Sequence, residues 1–368
     1  MNNTSPLSIL LVGGTLDITA IKVRSDGFLT EICSMQGAQI GGNDVNNAFL
    51  QACKDVLDGD AWHNTFTEKN AMDLFNFQNE FEQKKVSIGS ERDEYISLTI
   101  PHSLRDMLKE GKVRLKPEAK YTKYFNTEDG KFQFKSEFIR ELLFKEVLNQ
   151  LIEALKTVLK NEQLVDVRTL VLVGGFAESH IVRDTIDTKI KELYPRLVVV
   201  GPTSPSRAVL MGAVAYGFNP RIFRSRIARA TYGVKIAAPF DPKVHKPEYK
   251  KTFNGDPKEY CQNIFSIHVQ KDQSVVLSDQ QPSRVYNPVR PQQKKLAIRI
   301  FTSSERTPVY TMEESCTELG KIVVHCPDTH RGKDRDVKVT MVYGGTELTV
   351  VAEDESTGRE YKTDITFD

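Results

Sequence analysis

Two turns of the same design constrain this chain more than any other feature of its sequence. In each turn a short apolar run ends in paired glycines, at Gly13-Gly14 and again at Gly174-Gly175. Because glycine has no Cβ, such turns let backbone N–H groups approach a phosphate closely. A helical pattern follows the second pair, and the N-terminal end of a helix favours anions. The repeated turn makes a nucleotide a candidate ligand, although either turn alone is also common for purely steric reasons.

The region around the second turn has the alternating order of strands and helices. Residues 167–173 form a nearly continuous apolar run, which is typical of a strand buried on both faces. Helical patterns cover residues 179–193 and 208–217, with a second apolar run at 197–200 between them. This βαβα order predicts an α/β first part with a partly parallel sheet. The longest helical pattern covers residues 138–159.

The composition and the hydrophobic pattern of the sequence change near residue 223. Prolines become frequent, the helical period disappears, and turn residues separate short alternating runs. These features predict an all-β module at residues 223–368, preceded by an α/β domain at residues 1–222. The arginine-rich run Arg221–Arg229 lies at this boundary. It is interpreted as a solvated interdomain linker, with a contact site for a partner protein as the alternative.

Charge and composition exclude some partners and sites. The chain has 50 Lys+Arg and 49 Asp+Glu residues, so it lacks the net basic charge expected of a protein that binds nucleic acid or an anionic membrane. No apolar run has the length of a membrane span, and the start does not resemble a signal peptide. The five cysteines form no C-x-x-C pair and the seven histidines no H-x-x-x-H pair, so no zinc site is indicated. We expect a cytoplasmic protein.

Two side chains beside the first glycine turn have the chemistry of a phosphate site. The hydroxyl of Thr15 is suited to bond a phosphate, and the carboxylate of Asp17 to hold a magnesium-bound water. The structural alternatives are an ordinary strand hydroxyl for Thr15 and a turn cap for Asp17. The sequence contains neither a P-loop nor a G-x-G-x-x-G fingerprint, which argues against those two nucleotide-binding folds.

Five segments resemble, in the same order, those of the heat shock 70 kDa protein family, part of the actin-like ATPase superfamily. The first two are L-L-V-G-G-T-L-D-I-T, similar to the family's second phosphate motif, and G-A-Q-I-G-G-N-D-V-N-N. The next two are L-V-L-V-G-G-F-A-E-S-H-I-V, similar to its adenosine motif, and the following helix S-P-S-R-A-V-L-M-G-A-V-A-Y-G. The last is V-T-M-V-Y-G-G-T-E-L-T-V-V-A-E-D-E-S-T-G-R-E-Y-K-T-D-I-T, similar to the final strands of its substrate-binding domain. The run G-G-F-A-E-S and the arginines before T-Y-G-V resemble the divergent branch called heat shock 70 kDa protein 12.

This resemblance implies a fold, a cofactor and a class of partner. The fold is the second lobe only of an actin-like ATPase, with an insert subdomain at about residues 42–135, followed by an all-β, sandwich-like substrate-binding domain. The cofactor is ATP or ADP with magnesium, which Asp17 would hold through a water, and the partners are unfolded or client polypeptides. The residues that the resemblance assigns to nucleotide binding are Gly13, Gly14, Thr15, Asp17, Glu82, Lys85, Gly174 and Gly175.

Several motif positions differ from the family in ways that bear on hydrolysis. Leu10 stands where the second phosphate motif begins with a carboxylate, and Val12 where it has a glycine. In the adenosine region Phe176, Glu178 and Ser206 replace a polar residue, an arginine and an aspartate. The family's first lobe has no counterpart in the chain. Since hydrolysis in this superfamily depends on groups from both lobes, we expect a chaperone-type protein that binds ATP or ADP without hydrolysing it.

Two alternatives to that expectation stay open at the level of sequence. In the first, the chain is a polypeptide-binding or scaffold module that works without nucleotide. In the second, it is a truncated gene model of a full-length ATPase, because M-N-N-T-S-P-L-S joins abruptly to a mid-domain strand.

Overall fold

A computed structural model describes most of the chain as two compact units. The described residues are 8–9, 16–33, 37–57, 62, 70–89, 95–128, 130–253, 256–277, 283–343 and 347–366. Unit 1 comprises Met1–Lys22 and Met35–Phe218, and unit 2 comprises Val23–Ser34 and Asn219–Asp368. The mixed α/β architecture with several sheets that the sequence predicts is confirmed.

The helices of unit 1 are amphipathic for the most part, as their sequence periods predict. Their bounds are α1 Gly42–Val56, α2 Ala71–Ser87, α3 His102–Lys109, α4 Lys145–Leu159, α5 His180–Leu193 and α6 Pro205–Phe218. Helix α1 buries Val45, Phe49 and Val56 along one side, which confirms the helical pattern of that segment. A π-helical turn at Ile139–Phe144 leads into α4, so the long predicted helix is irregular in its first part.

The strands of unit 1 form small sheets. Strand β1 (Ser8–Ile9) pairs antiparallel with β2 (Ala20–Val23). Three antiparallel strands that lie in the order β4-β6-β5 have the bounds β4 Tyr95–Thr99, β5 Phe125–Glu128 and β6 Lys131–Lys135. Strand β7 (Thr169–Val171) pairs parallel with β8 (Val198–Val200) across helix α5, which confirms the predicted βαβ order.

An aromatic core joins α1, α2 and the antiparallel sheet of unit 1. The rings of Phe49 and Phe81 stack with their centroids 3.8 Å apart, and Phe134 of β6 lies 5.5 Å from Phe49. All three side chains are almost completely buried. Because Lys85 follows Phe81 by one helical turn, this packing holds the lysine against helix α1.

Among the described residues of the longer segment of unit 2, the regular secondary structure is almost entirely strand. Five strands lie in the order β11-β12-β10-β15-β16 and four in the order β14-β17-β18-β19, all antiparallel to their neighbours. Their bounds are β10 Thr231–Pro239, β11 Lys250–Phe253, β12 Asp256–Val269, β14 Ser283–Tyr286, β15 Lys295–Ser303, β16 Cys316–His325, β17 Val337–Tyr343, β18 Glu347–Asp354 and β19 Arg359–Thr366. Side chains of both sheets share one apolar core, which includes Val234, Ile300, Val324, Val339 and Val350. The alternating runs predicted beyond residue 290 are therefore strands with one face in a common core.

The interpretation of the arginine-rich run as a solvated linker is wrong. Within it, Phe223–Ile227 is a strand, β9, paired on both sides. Strand β3 (Leu29–Cys33) lies parallel to β9, and β13 (Ser274–Val276) lies antiparallel to it. The guanidinium of Arg224 stacks 3.6 Å from the ring centroid of Phe28. The sequence pattern missed this strand because its partner β3 lies far away in the chain; a partner protein at Arg221–Arg229 stays a prediction.

Candidate functional site

The structure describes some of the predicted nucleotide-binding residues but not all of them. Gly13, Gly14 and Thr15 lie outside the described residues. Asp17 is described and exposed, next to an isolated bridge between Leu16 and Ala38. A Cβ on Gly37 would come within 2.7 Å of the Asp17 Oδ1 atom, so the glycine backbone lies against this carboxylate. Among the described residues no group of three or more His, Cys, Asp or Glu could hold a metal ion, so a magnesium water at Asp17 stays a prediction.

Glu82 and Lys85 form hydrogen bonds with each other and with residues of helix α1. Lys85 Nζ donates to Glu82 Oε2 at 2.6 Å, to Asn46 Oδ1 at 2.7 Å and to the Gly42 carbonyl at 2.8 Å. Asn46 Nδ2 donates to the same carboxylate oxygen of Glu82 at 2.5 Å. A lysine ammonium has three donors, and these three acceptors use all of them. We call Gly42, Asn46, Glu82 and Lys85 the lysine clamp.

The lysine clamp is closed to solvent on the lysine side. Lys85 is only 2% exposed, whereas about half of the Glu82 side chain is accessible. Burial lowers the pKa of Lys85, and the bond to the Glu82 carboxylate partly opposes that shift. Sequence reasoning missed Asn46 because it reaches Lys85 from another helix, and no local spacing connects the two.

Phe176 closes the clamp from the adenosine-like turn. A Cβ on Gly42 would lie 3.3 Å from the Phe176 ring and 3.2 Å from Lys85 Nζ, so ring and ammonium flank the same glycine. Phe176 is buried and lies nearly parallel to Phe144, with 6.1 Å between ring centroids. The polar side chain of the family motif is thus replaced by an aromatic ring that is part of the core.

The turn at Gly174-Gly175 is accessible to solvent on one side. Gly174 has a φ of +87°, a left-handed conformation that favours glycine, and its N–H donates to the Pro205 carbonyl at 2.8 Å. Gly175 is exposed, and a Cβ there would meet no atom within 4 Å. A ligand could approach the backbone at Gly175, but not the ammonium of Lys85.

Two residues that differ from the family motif, Glu178 and Ser206, are hydrogen-bonded to each other. Glu178 Oε1 accepts hydrogen bonds from the Ser206 hydroxyl and from the Ser206 N–H, the latter at 3.3 Å. These bonds tie the turn after Gly175 to the first residues of helix α6. These two side chains therefore stabilise the turn in this chain.

Replacing Lys85 with methionine is expected to lower the free energy of unfolding by about 1–2 kcal/mol, because three acceptors lose their shared donor. The measurement is urea unfolding followed by the fluorescence of Trp62, the single tryptophan, which is buried in unit 1. Lys84→Met is the matched control, since Lys84 is the exposed neighbour of Lys85. Equal stability of the two variants would show that the clamp contributes nothing.

The same pair of variants should differ in its dependence on pH. Since burial lowers the pKa of Lys85, the folded state binds this proton less tightly than the unfolded state. The unfolding free energy contributed by Lys85 therefore increases as the pH rises from the lowered pKa to the usual value for lysine. The free energy of unfolding of Lys84→Met should therefore rise with pH in this range, and that of Lys85→Met should lack this increase.

Unit 2 contains a second candidate site, formed by two loops that contact each other. The loop between β10 and β11 exposes Val244, and the loop between β15 and β16 exposes Val309 and Met312. Lys246 N–H donates to the Tyr310 hydroxyl at 3.0 Å, and the rings of Tyr249 and Tyr310 lie 4.6 Å apart. We call Val244, Val309 and Met312 the loop cluster. The sequence did not indicate it, because single apolar residues in loops carry no period.

Strand β12 fixes one side of the loop cluster. The Val309 carbonyl accepts from Phe265 N–H at 2.9 Å, and Thr311 N–H donates to the Asn263 carbonyl at 2.8 Å. Asn263 has a φ of +67°, an unusual value for a residue other than glycine, and it lies where the register between β10 and β12 shifts. The bulge turns its carbonyl toward the loop, so Val309 and Met312 are held on an ordered segment.

No helix among the described residues is long and apolar enough to cross a membrane. No family model matches the chain. Compared with curated proteins, it is 26% identical over 370 residues to heat shock 70 kDa protein 12B of Homo sapiens and 25% identical over 366 residues to heat shock 70 kDa protein 12A of Mus musculus. Each match covers 96% of this chain, which spans about half, 53%, of the length of the curated relatives. The predicted resemblance to the heat shock 70 kDa protein 12 branch is confirmed.

Proposed function

We propose that the chain is a heat-shock-70-type module that binds polypeptides without hydrolysing nucleotide. The observation that carries the proposal is the lysine clamp. In it the ammonium of Lys85 is buried, and its three N–H groups all donate to acceptors of Gly42, Asn46 and Glu82. A nucleotide would have to break these bonds and displace the Phe176 ring to reach Lys85. The lysine therefore acts as a tie between helices α1 and α2.

In this proposal unit 1 is a scaffold that corresponds to the second lobe of an actin-like ATPase. Unit 2 is the substrate-binding-like domain, and its loop cluster contacts the polypeptide. Val244, Val309 and Met312 are each at least half exposed, in two loops that support each other through Tyr310. An extended apolar segment of an unfolded client is the ligand that such a surface suits, because it covers the exposed side chains.

The test is fluorescence anisotropy of a labelled, extended apolar peptide titrated with the full chain. We expect saturable binding that ADP with magnesium leaves unchanged. The variant Val309→Glu/Met312→Glu should lose at least about tenfold in affinity, since it places two charges where apolar contacts are made. Phosphate release from ATP should stay at the level of the buffer.

The matched control is Val276→Glu/Val285→Glu, which adds the same charge at exposed valines on β13 and β14. Its affinity should stay within about twofold of the parent chain. Peptide binding that is absent, or equally weakened by both double variants, would overturn the loop cluster as the contact site. Phosphate release that disappears in Asp17→Ala would contradict the absence of hydrolysis.

Binding of ADP or ATP with magnesium is the second candidate, favoured by the open backbone at Gly175. It would use Gly174, Gly175 and the exposed part of Glu82, together with Gly13, Gly14 and Thr15, and Asp17 would hold a magnesium-bound water. The test is isothermal titration with ADP and magnesium, for which the main proposal expects no heat at millimolar ligand. The variant Gly175→Val decides the case, because its side chain enters open space and crowds only a ligand. Binding heat that is measured for the parent chain and is absent for Gly175→Val would favour the nucleotide site.

A further inference from the structure

A hydrogen-bond network in unit 2 connects two sheets and contains a histidine. The hydroxyl of Tyr286 in β14 lies 2.9 Å from His268 Nε2 and 2.9 Å from Ser266 Oγ, two side chains of β12. The rings of His268 and Tyr286 have their centroids 5.9 Å apart. Since β12 and β14 belong to different sheets, these contacts bridge the space between the sheets. We call Ser266, His268 and Tyr286 the histidine network.

The histidine network lies on the core side of its sheet. Ser266 is directly opposite Val234 of β10, whose side chain belongs to the apolar core that the two sheets share. His268 contacts the same hydroxyl as Ser266, so it points to the same side, and Tyr286 packs against that core from β14. His268 also lies where the register between β10 and β12 shifts, so no residue of β10 is directly opposite it.

The surroundings of His268 favour the neutral imidazole. Burial and, after it, the guanidinium of Arg284 on β14 lower the pKa of His268 to about 4. The positions paired beside the network on β10 and β17 carry no charge near neutral pH; they are Tyr232, Gly233, Val337 and Val339. Among the described residues, therefore, Arg284 supplies the charge that acts on this imidazole, and that charge opposes a second one.

Strand β14 is held less firmly than its neighbours in the network. It has four residues, Ser283–Tyr286, and pairs with β17 alone, whereas β12 pairs with both β10 and β11. A charged imidazole in this place needs water, and releasing the short edge strand breaks fewer hydrogen bonds than separating β12 from its sheet. Asn287 Nδ2 donates to Asp336 Oδ1 at 2.5 Å, so the chain stays anchored directly after β14.

We propose that the histidine network is an acid-sensitive device that holds β14 in place at neutral pH and releases it when His268 takes up a proton. The neutral imidazole bonds the Tyr286 hydroxyl without placing a charge between the sheets. The imidazolium adds a positive charge beside Arg284 and turns both ring nitrogens into donors. Release of β14 hydrates both charges and leaves one edge of β17 with unpaired backbone groups.

The linkage between protonation and opening gives the direction and size of the effect. The closed state binds the proton of His268 less tightly than the open state, in which the imidazole has its ordinary pKa of 6.5. Opening is therefore increasingly favoured as the pH falls below 6.5, and the increase ends near pH 4, where the closed state binds the proton as well. Between pH 7.5 and pH 5.0 the equilibrium constant for opening should increase roughly thirtyfold.

Hydrogen exchange of the full chain at pH 7.5 and pH 5.0, with each rate divided by that of an unstructured peptide at the same pH, tests the proposal. Amides of β14 and of the paired edge of β17 should lose roughly thirtyfold in protection at pH 5.0. His268→Gln should show equal protection at both pH values, because its amide can bond the Tyr286 hydroxyl but takes up no proton. The matched control is His325→Gln, at an exposed histidine of β16 that stacks on Tyr361, and it should behave like the parent.

Imidazole NMR of the parent chain gives a second readout that does not depend on the stability of a variant. The histidine signal that is absent from His268→Gln belongs to His268, and in the folded parent it should remain that of a neutral ring down to about pH 5. Protection of β14 that is the same at both pH values in the parent, an equal loss of protection in His268→Gln, or a His268 ring that is already charged at pH 6 in the folded chain would overturn the proposal.

Discussion

Replacing Arg335 with methionine is expected to lower the free energy of unfolding of unit 2 by about 3 kcal/mol or more. The side chain is 1% exposed and belongs to the turn before strand β17. Its guanidinium donates to the carbonyls of Gln293 at 2.6 Å, Gly332 at 2.7 Å, Cys326 at 2.8 Å and Pro291 at 2.9 Å. These bonds tie the segment before β15, the end of β16 and the turn before β17 to one buried group.

The expected loss is large because methionine has no donor. Each buried carbonyl that loses its partner costs about 1–3 kcal/mol, and several are orphaned together. Arg335→Lys should lie in between, since an ammonium offers three donors from a single point and cannot span carbonyls on three segments. The measurements are urea unfolding followed by circular dichroism and hydrogen exchange of β15 and β16, which should lose protection first.

Arg331→Met is the control for the substitution itself. Arg331 lies four residues before Arg335 and is exposed, so its loss should change stability by no more than about 0.5 kcal/mol. If the Arg335→Met chain unfolds at the same urea concentration as the control, the guanidinium does not hold these segments together, and the packing around it is sufficient.

The parts of the fold that the sequence predicted are those in which burial repeats along the chain. The spacing of Val45, Phe49 and Val56 predicted α1, because one side of that helix is covered by aromatic side chains. The apolar runs at 167–173 and 197–200 predicted β7 and β8, because a buried parallel strand shows no alternation. The sequence did not predict the pairing of strands that are far apart in the chain. Strands β3 and β9 pair across nearly two hundred residues, and neither strand carries a local sign of its partner.

In the candidate sites, too, local contacts were predictable from the sequence and contacts between distant segments were not. Glu82 and Lys85 are three residues apart on α2, so their proximity follows from helix geometry and was predictable. Their saturation by Asn46 and Gly42, and the ring of Phe176 beside them, depend on how α1 and the adenosine-like turn pack, which no spacing encodes.

Replacing Gly233 with alanine is expected to lower the free energy of unfolding by about 3 kcal/mol or more, the upper end of the usual cost of overpacking. Gly233 lies in β10 between β12 and β15, opposite Ile267 on one side and Phe301 on the other. A Cβ at this position would be 2.3 Å from the Ser266 carbonyl oxygen and 2.5 Å from the Phe265 ring. The oxygen belongs to the paired strand, so it cannot move without breaking the ladder.

A second glycine in the same sheet, Gly320, separates this steric effect from the general effect of adding a methyl group. At Gly320 in β16 the nearest atom to a new Cβ is Ile365 Cδ1 at 4.0 Å, an ordinary contact, so Gly320→Ala should leave stability within about 0.5 kcal/mol of the parent. Hydrogen exchange should show lost protection along β10 and β12 only for Gly233→Ala. Because β12 holds the loop at Val309 through the Phe265 N–H and at Thr311 through the Asn263 carbonyl, Gly233→Ala should weaken peptide binding as well, whereas Gly320→Ala should not. Two glycine variants of equal stability and equal peptide affinity would refute the close contact between β10 and β12 and its proposed connection to the loop cluster.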